Sequence, residues 1–193
     1  MRNIAVFCGS SKGYNQIYAE QAALLGKHFA KNKIGLIYGG GKVGLMGILA
    51  NAVLQNKGEV TGVIPHLLKH EEVAHTALTK MIYTKKMSKR KIKISRLADA
   101  YIALPGGFGT LDELFEALTL NQLGIETKPV GILNINGYFD HTLEQLDAMC
   151  KEGFLNNTNK KLLLVENSVE ELMKLLHNFT SKKTKSVIHK ITS

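Results

Sequence analysis

Residues 105–113 read Pro-Gly-Gly-Phe-Gly-Thr-Leu-Asp-Glu and follow directly on the apolar run 100–104. That order predicts a strand, a glycine turn and a helix start, with Asp112 and Glu113 in the helix's first turn. Bare backbone N–H groups and the positive end of the helix dipole make such a turn a phosphate site. The same dipole favours acids in any first turn. Here they stand beside a turn suited to an anion. The pairing predicts a pocket that holds a phosphorylated molecule and acts on it close by.

A second glycine turn, Gly39-Gly40-Gly41-Lys42-Val43-Gly44, follows the apolar run 34–38, and Gly9 and Ser10 follow a third run, 4–8. Two multi-glycine turns, each between strand and helix, carry more than a lone one. Neither has the dinucleotide fingerprint, because no acid ends the next strand, which closes on Ile64-Pro65. The P-loop pattern Gly-x-x-x-x-Gly-Lys-Ser/Thr is also missing. NAD binding and ATP hydrolysis are not expected, and no cofactor is called for. His66, His70 and His75 share a segment with Glu71 and Glu72 but lack the His-Glu-x-x-His spacing, so no metal site is expected. Glu72 follows a strand at the predicted crevice and could reach a ligand there.

Two helices supply the remaining candidates. Over 86–98, Met87, Ile94, Leu97 and Ala98 form an apolar stripe, and Arg90 and Lys91 fall inside it. Both could snorkel to water. A cation held among apolar neighbours otherwise needs an anionic partner, which a phosphate or carboxylate in the crevice would supply. Lys86, Lys89, Lys93 and Arg96 point elsewhere. Over 111–123, Leu111, Leu114, Phe115 and Leu118 form the core stripe. Glu113, Glu116, Leu120 and Leu123 share the far face with Asp112 and Thr119. Leucines among acids on an outward face suggest contact with the same helix of a second subunit, although scattered surface leucines are ordinary.

These candidates need a scaffold, and the chain predicts one. Strands over 4–8, 34–38, 60–64, 81–84, 100–104, 129–134 and 162–165 alternate with helices over 17–32, 44–55, 86–98, 111–123, 138–151 and 168–178, with 66–78 a loop. Nearly continuous apolar strands flanked by helices indicate an α/β, Rossmann-like, doubly wound and mainly parallel sheet covered on both faces. Ligands in such sheets sit beyond the carboxyl ends of the strands. All three glycine-bearing ends should converge there. Residues 1–180 read as one nucleotide-binding domain, and 181–193 as a basic, flexible tail.

Bulk composition narrows the classes. The chain has 193 residues and a net charge of +9, which could point to nucleic acid. However, residues 79–98 hold eight Lys/Arg and no acid, and four more lysines lie in the tail. The remaining 13 basic residues face all 16 acids of the chain. Basicity is therefore two local patches, and a nucleic-acid partner is not expected. No apolar run approaches the ~20 residues of a membrane helix. Cys8 and Cys150 are too few and too far apart for a disulfide framework or a zinc site, so the cytoplasm is the expected location.

Taken together, the motifs resemble the LOG ("Lonely Guy") family of cytokinin riboside 5′-monophosphate phosphoribohydrolases, whose members have often been labelled lysine decarboxylases. The family's Pro-Gly-Gly-x-Gly-Thr-x-x-Glu is met by residues 105–113. The resemblance extends to Cys8-Gly9-Ser10-Ser11, Tyr38-Gly39-Gly40-Gly41, Gly44-Leu45-Met46-Gly47, Met87-Ser88-Lys89-Arg90-Lys91, Gln122-Leu123-Gly124-Ile125 and Lys128-Pro129-Val130-Gly131. It implies Arg90 and Glu113 as catalytic residues. It implies substrate contacts at Glu72, Lys91, Gly106, Gly107, Phe108, Gly109, Thr110, Leu111, Asp112 and Thr119. The glycine turns add Gly9, Ser10, Gly40 and Gly41, and Glu116 would assist through ribose or water. Asp112 departs from the family, where Glu is common. The resemblance also implies a homodimer or an assembly of dimers.

The implied reaction splits an AMP-like purine nucleoside 5′-monophosphate into free base and ribose 5-phosphate. The alternative is a non-catalytic nucleotide-binding or carrier protein of the same fold. Lysine decarboxylation is poorly supported, because the sequence identifies no Schiff-base lysine with an acidic partner for pyridoxal phosphate.

Overall fold

The computed structural model describes residues 1–68 and 74–180. Glu72, with Glu71 and His70, and the tail 181–193 lie outside the described residues. Seven strands form one sheet: β1 (Asn3–Phe7), β2 (Gly35–Tyr38), β3 (Val60–Pro65), β4 (Lys80–Thr84), β5 (Ala100–Ala103), β6 (Val130–Leu133) and β7 (Leu163–Glu166). Their order is β4-β3-β2-β1-β5-β6-β7, and every pairing is parallel. The sheet is thus wholly rather than mainly parallel among the described strands, and the fold is Rossmann-like α/β. The helices are α1 (Gln16–Lys31), α2 (Gly44–Gln55), α3 (Met87–Leu97), α4 (Phe108–Gln122), α5 (Asp140–Lys151), α6 (Asn157–Lys160) and α7 (Val169–Asn178).

Burial on both faces explains why the strands read as continuous apolar runs. Along β1, Ile4, Val6 and Cys8 join one core with α1, α2 and α7, while Ala5 and Phe7 join the other with α3 and α4. The chain winds outward from β1 through β2, β3 and β4, then returns to place β5 beside β1. That reversal opens a crevice at the carboxyl ends of β1 and β5, where ligands of such sheets bind.

The glycine turns lock together at this crevice. Gly9 N–H donates to the Pro105 carbonyl at 3.0 Å, and Leu45 N–H donates to the Gly9 carbonyl at 3.1 Å. Gly44 has φ +61°, and a Cβ there would stand 2.2 Å from the Ser10 carbonyl carbon. Only glycine allows both that backbone conformation and that approach.

Several predicted details differ. Segment 66–78 is not all loop: His66–Leu68 is a 3-10 turn and Ala74 bridges to Gly41. Helix α4 begins at Phe108, three residues before the predicted start, because the Gly107 carbonyl already accepts from Thr110 and Leu111 N–H. Asp112 and Glu113 therefore sit in the second turn, and the first turn holds no acid. The buried stripe of α4 is Thr110, Leu114, Ala117 and Asn121, with Phe115 only half-buried. Asn121 can point inward because its amide bonds both the N–H and the carbonyl of Lys128. Met87 is exposed rather than core. No helix among the described residues is long and apolar enough to cross a membrane.

Candidate active site

A cavity of about 320 Å³ occupies the crevice. Gly9, Ser10 and Gly39 line one side, residues 107–110 another, and Arg90 with Glu113 the floor. The earlier start of α4 matters here. The first N–H groups of a helix have no intrahelical acceptor, and no side-chain oxygen caps this one. Along α4 the first carboxylates, Asp112 and Glu113, come only in the second turn. The turn at 107–109 therefore offers donors without an acid in the helix's own first turn. Gly106 is fixed by packing: a Cβ there would lie 2.1 Å from Thr110 Oγ1, and Thr110 is buried.

Arg90 joins three elements. Its Nε donates to the Val63 carbonyl of β3 at 3.1 Å, and its Nη1 donates to Glu113 Oε1 of α4 at 2.8 Å. Its Nη2 lies so close to Gly39 that a Cβ there would stand 2.5 Å away. The side chains of Arg90 and Glu113 are only 13% and 11% exposed. Glu113 thus faces α3, not outward as its neighbours on the helical wheel suggested. The cation across the groove draws it in and satisfies the charge. Burial pushes its carboxyl above the ordinary glutamate value, and the Arg90 charge and hydrogen bond only partly offset that rise.

The partner anticipated for Lys91 is a carboxylate pair. Its ammonium lies 2.7 Å from Asp112 Oδ2 and 3.1 Å from Glu116 Oε2. Burial alone would lower its pKa, but these two carboxylates outweigh burial and raise it. Beyond this cluster, a second cavity of about 320 Å³ runs between α3 and α4. It shares Phe7 and Glu113 with the first and has apolar walls from Ile92, Ala117, Leu120 and Ile125. At its far end Tyr101 hydroxyl donates to Glu126 Oε2 at 2.6 Å, and Ser95 hydroxyl bonds the other oxygen.

Other predicted residues lie further off. Gly40 packs on Met81, Gly41 packs on Met46, and neither lines the cavity, whereas Gly39 does. Leu111 packs into the core under the turn. Thr119 is exposed and bonds the Phe115 carbonyl at 2.7 Å, outside both cavities of the single chain. His75 pairs with Asn51 and His66 stacks on Tyr83. Among the described residues no group of three or more His, Cys, Asp or Glu is placed to hold a metal. Sequence reasoning passed over Cys8 and Met46, which line the cavity. Burial, and to a lesser degree the Glu113 charge, push the Cys8 thiol well above its ordinary value, which disfavours the thiolate.

Residues 46–176 match the protein family described as "possible lysine decarboxylase". The chain is 41% identical over 181 residues to cytokinin riboside 5′-monophosphate phosphoribohydrolase LOG2 of Arabidopsis thaliana, covering 94% of this chain and 85% of that protein. It is also 41% identical over 178 residues to the LOG protein of the same activity name from Oryza sativa subsp. japonica, covering 92% and 74%. The chain belongs to the LOG family. Among solved structures, the molybdenum cofactor binding protein of Rippkaea orientalis has the same fold, with a TM-score of 0.68 at 23% identity, covering 100% of this chain and 98% of that one. The molybdenum cofactor carrier protein of Chlamydomonas reinhardtii is similar, with a TM-score of 0.67 at 21% identity over 91% and 96%. Within the LOG motifs of this chain, the Met-Ser-Lys-Arg-Lys and Pro-Gly-Gly-x-Gly-Thr-x-x-Glu segments meet through the ion pairs Arg90–Glu113 and Lys91–Asp112.

Proposed function

We propose that this LOG-family protein hydrolyses the N-glycosidic bond of a purine nucleoside 5′-monophosphate, of the cytokinin type or AMP, giving free base and ribose 5-phosphate. The observation that carries it is the buried Arg90–Glu113 pair on the floor of a glycine-lined cavity. The turn at 106–110, with Gly9 and Ser10, takes the 5′-phosphate. The ribose lies over Glu113, and the base enters the apolar cavity between α3 and α4. As the bond from C1′ to the base nitrogen breaks, its electrons leave with the base and positive charge grows on the ribose. The Glu113 carboxylate stabilises that charge and takes a proton from the water whose oxygen bonds C1′. A proton returns to the base nitrogen, and Arg90 holds Glu113 ionised and oriented. Lys91, clamped by Asp112 and Glu116, fixes the side of the site.

The same reading makes the protein a homodimer in the cytoplasm. Ile92 and Ile125 are exposed at the mouth of the α3–α4 cavity, and a second copy packed there would cover them and close it. Both cysteines are free, as expected in a reducing compartment. Sedimentation should give a mass of two chains or a multiple; a single-chain mass at micromolar concentration overturns the dimer.

Incubation with AMP and with N6-isopentenyl-AMP should release free base and ribose 5-phosphate. Tight binding with no release would instead favour the carrier reading. Because the working form of Glu113 is the carboxylate, kcat/KM should fall as the pH drops through a value above the ordinary glutamate range. An acid limb at or below that range would remove Glu113 from the role.

A further inference from the structure

The loop after β6 is built around a single contact. It contains two successive left-handed residues, Asn136 at φ 53° and Gly137 at φ 68°. Asn134 closes it, accepting from Phe139 N–H at 2.8 Å and donating to Asp140 Oδ1 at 2.7 Å. A Cβ on Gly137 would stand 2.5 Å from Asp140 Oδ2. The result is an outward Tyr138 whose ring packs edge-on against Tyr18 and against the buried Phe139. Its hydroxyl donates to the Gly106 carbonyl at 2.6 Å, across 32 residues of chain. Among the described residues no other side chain hydrogen-bonds the backbone of 106–109.

The turn needs such a hold. The Gly107 carbonyl is held by Thr110 and Leu111 N–H and Gly106 packs on Thr110, but Cβ atoms built on Gly107 and Gly109 meet nothing within 4 Å, so side chains do not brace the turn from that side. The turn is a thin wall. On its far side a cavity of about 330 Å³ is lined by Tyr138, Tyr18 and the loop at 9–13. In a trans peptide the carbonyl and the next N–H point in opposite directions. Drawing the Gly106 carbonyl toward the phenol therefore turns the Gly107 N–H away from it, and Gly107 also lines the cavity that holds Arg90 and Glu113.

We propose that Tyr138 is a positioning residue: its hydroxyl sets the orientation of the Gly106–Gly107 peptide so that the turn donates to the substrate's phosphate. This rests on the turn being the phosphate site of the reaction proposed above. The contribution belongs to binding of the phosphate, not to the bond-breaking step.

Tyr138→Phe tests it, because the ring contacts remain and only the hydroxyl is lost. KM for a 5′-monophosphate should rise roughly 5-fold, within the range expected for one neutral hydrogen bond, with kcat essentially unchanged. The Kd for ribose 5-phosphate, measured by calorimetry, should rise by the same factor, while the Kd for free adenine stays put. A general loss of structure would move all of these together with the unfolding midpoint, and that pattern overturns the proposal. So does a variant with wild-type KM and wild-type ribose 5-phosphate affinity while the parent enzyme is active. Wild-type protein that releases no base and binds no ribose 5-phosphate overturns this proposal and the phosphoribohydrolase reading together.

Discussion

Glu113→Gln should abolish base release, lowering kcat by at least about 1000-fold, while KM for the nucleotide changes little. Glutamine keeps the shape of the side chain, and its Oε1 can still accept from Arg90 Nη1, now 2.8 Å away. On the proposed mechanism, what disappears is the negative charge beneath the ribose and the oxygen that takes the water's proton. Chromatography of free base under saturating substrate reads the loss directly. A variant within tenfold of wild type would shift the role to another carboxylate, with Glu116 the next in line at the Lys91 cluster.

Stability carries a second signature of the same residue. Burial raises the Glu113 pKa in the folded state. The contribution of this group to stability is therefore full below the ordinary glutamate range and is lost as pH rises through the raised value. Glutamine does not titrate, so the variant's unfolding midpoint should lack that decline.

How much of this was legible in the sequence varies with the kind of interaction. The sheet was legible because strands buried on both faces have no polar alternation to obscure them, as 4–8 and 100–104 illustrate. Arg90 was legible because Ile94, Leu97 and Ala98 define the inward side of α3, and a cation there requires an anion. Its partner was not, since Arg90 and Glu113 are 23 residues apart and on different helices. The phase of α4 misled for a specific reason. Leucines at 111, 114, 118, 120 and 123 draw two overlapping stripes, and the inward one is decided by Ala117 and Asn121. A small residue and a backbone-bonded amide carry little hydrophobic signal. The helix start misled likewise, because glycines are read as turn, although Gly109 lies in a first turn whose N–H groups are unpaired in any case. Tyr138 left only an indirect trace: Asn134-Ile135-Asn136-Gly137 is a turn signal at the binding end of a strand. Nothing local says that its hydroxyl reaches Gly106.

Arg90→Ala tests whether the pair works as a unit. The guanidinium is joined to Val63, Glu113 and the Gly39 approach, so its loss leaves a nearly buried carboxylate with Lys91 as the remaining cation acting on it among the described residues. Breaking a buried pair by removing one partner costs about 3–5 kcal/mol when the survivor stays charged. Glu113 escapes part of that cost by protonating, because burial is then opposed by less positive charge and its pKa climbs further. Two measurements should therefore move together. The unfolding midpoint falls, by roughly 2–4 °C for each kcal/mol in a domain of this size. The acid limb of kcat/KM moves to higher pH, leaving activity at neutral pH down by about 100-fold or more. Arg90→Lys should fall between, since an ammonium restores charge but cannot reach Val63 and Glu113 with one planar fork. The double variant Arg90→Ala, Glu113→Gln should be no less active than Glu113→Gln alone. If Arg90 acts by keeping Glu113 ionised and oriented, it has nothing left to do once the carboxylate is gone. A further loss in the double variant would mean that Arg90 contacts the departing base on its own account.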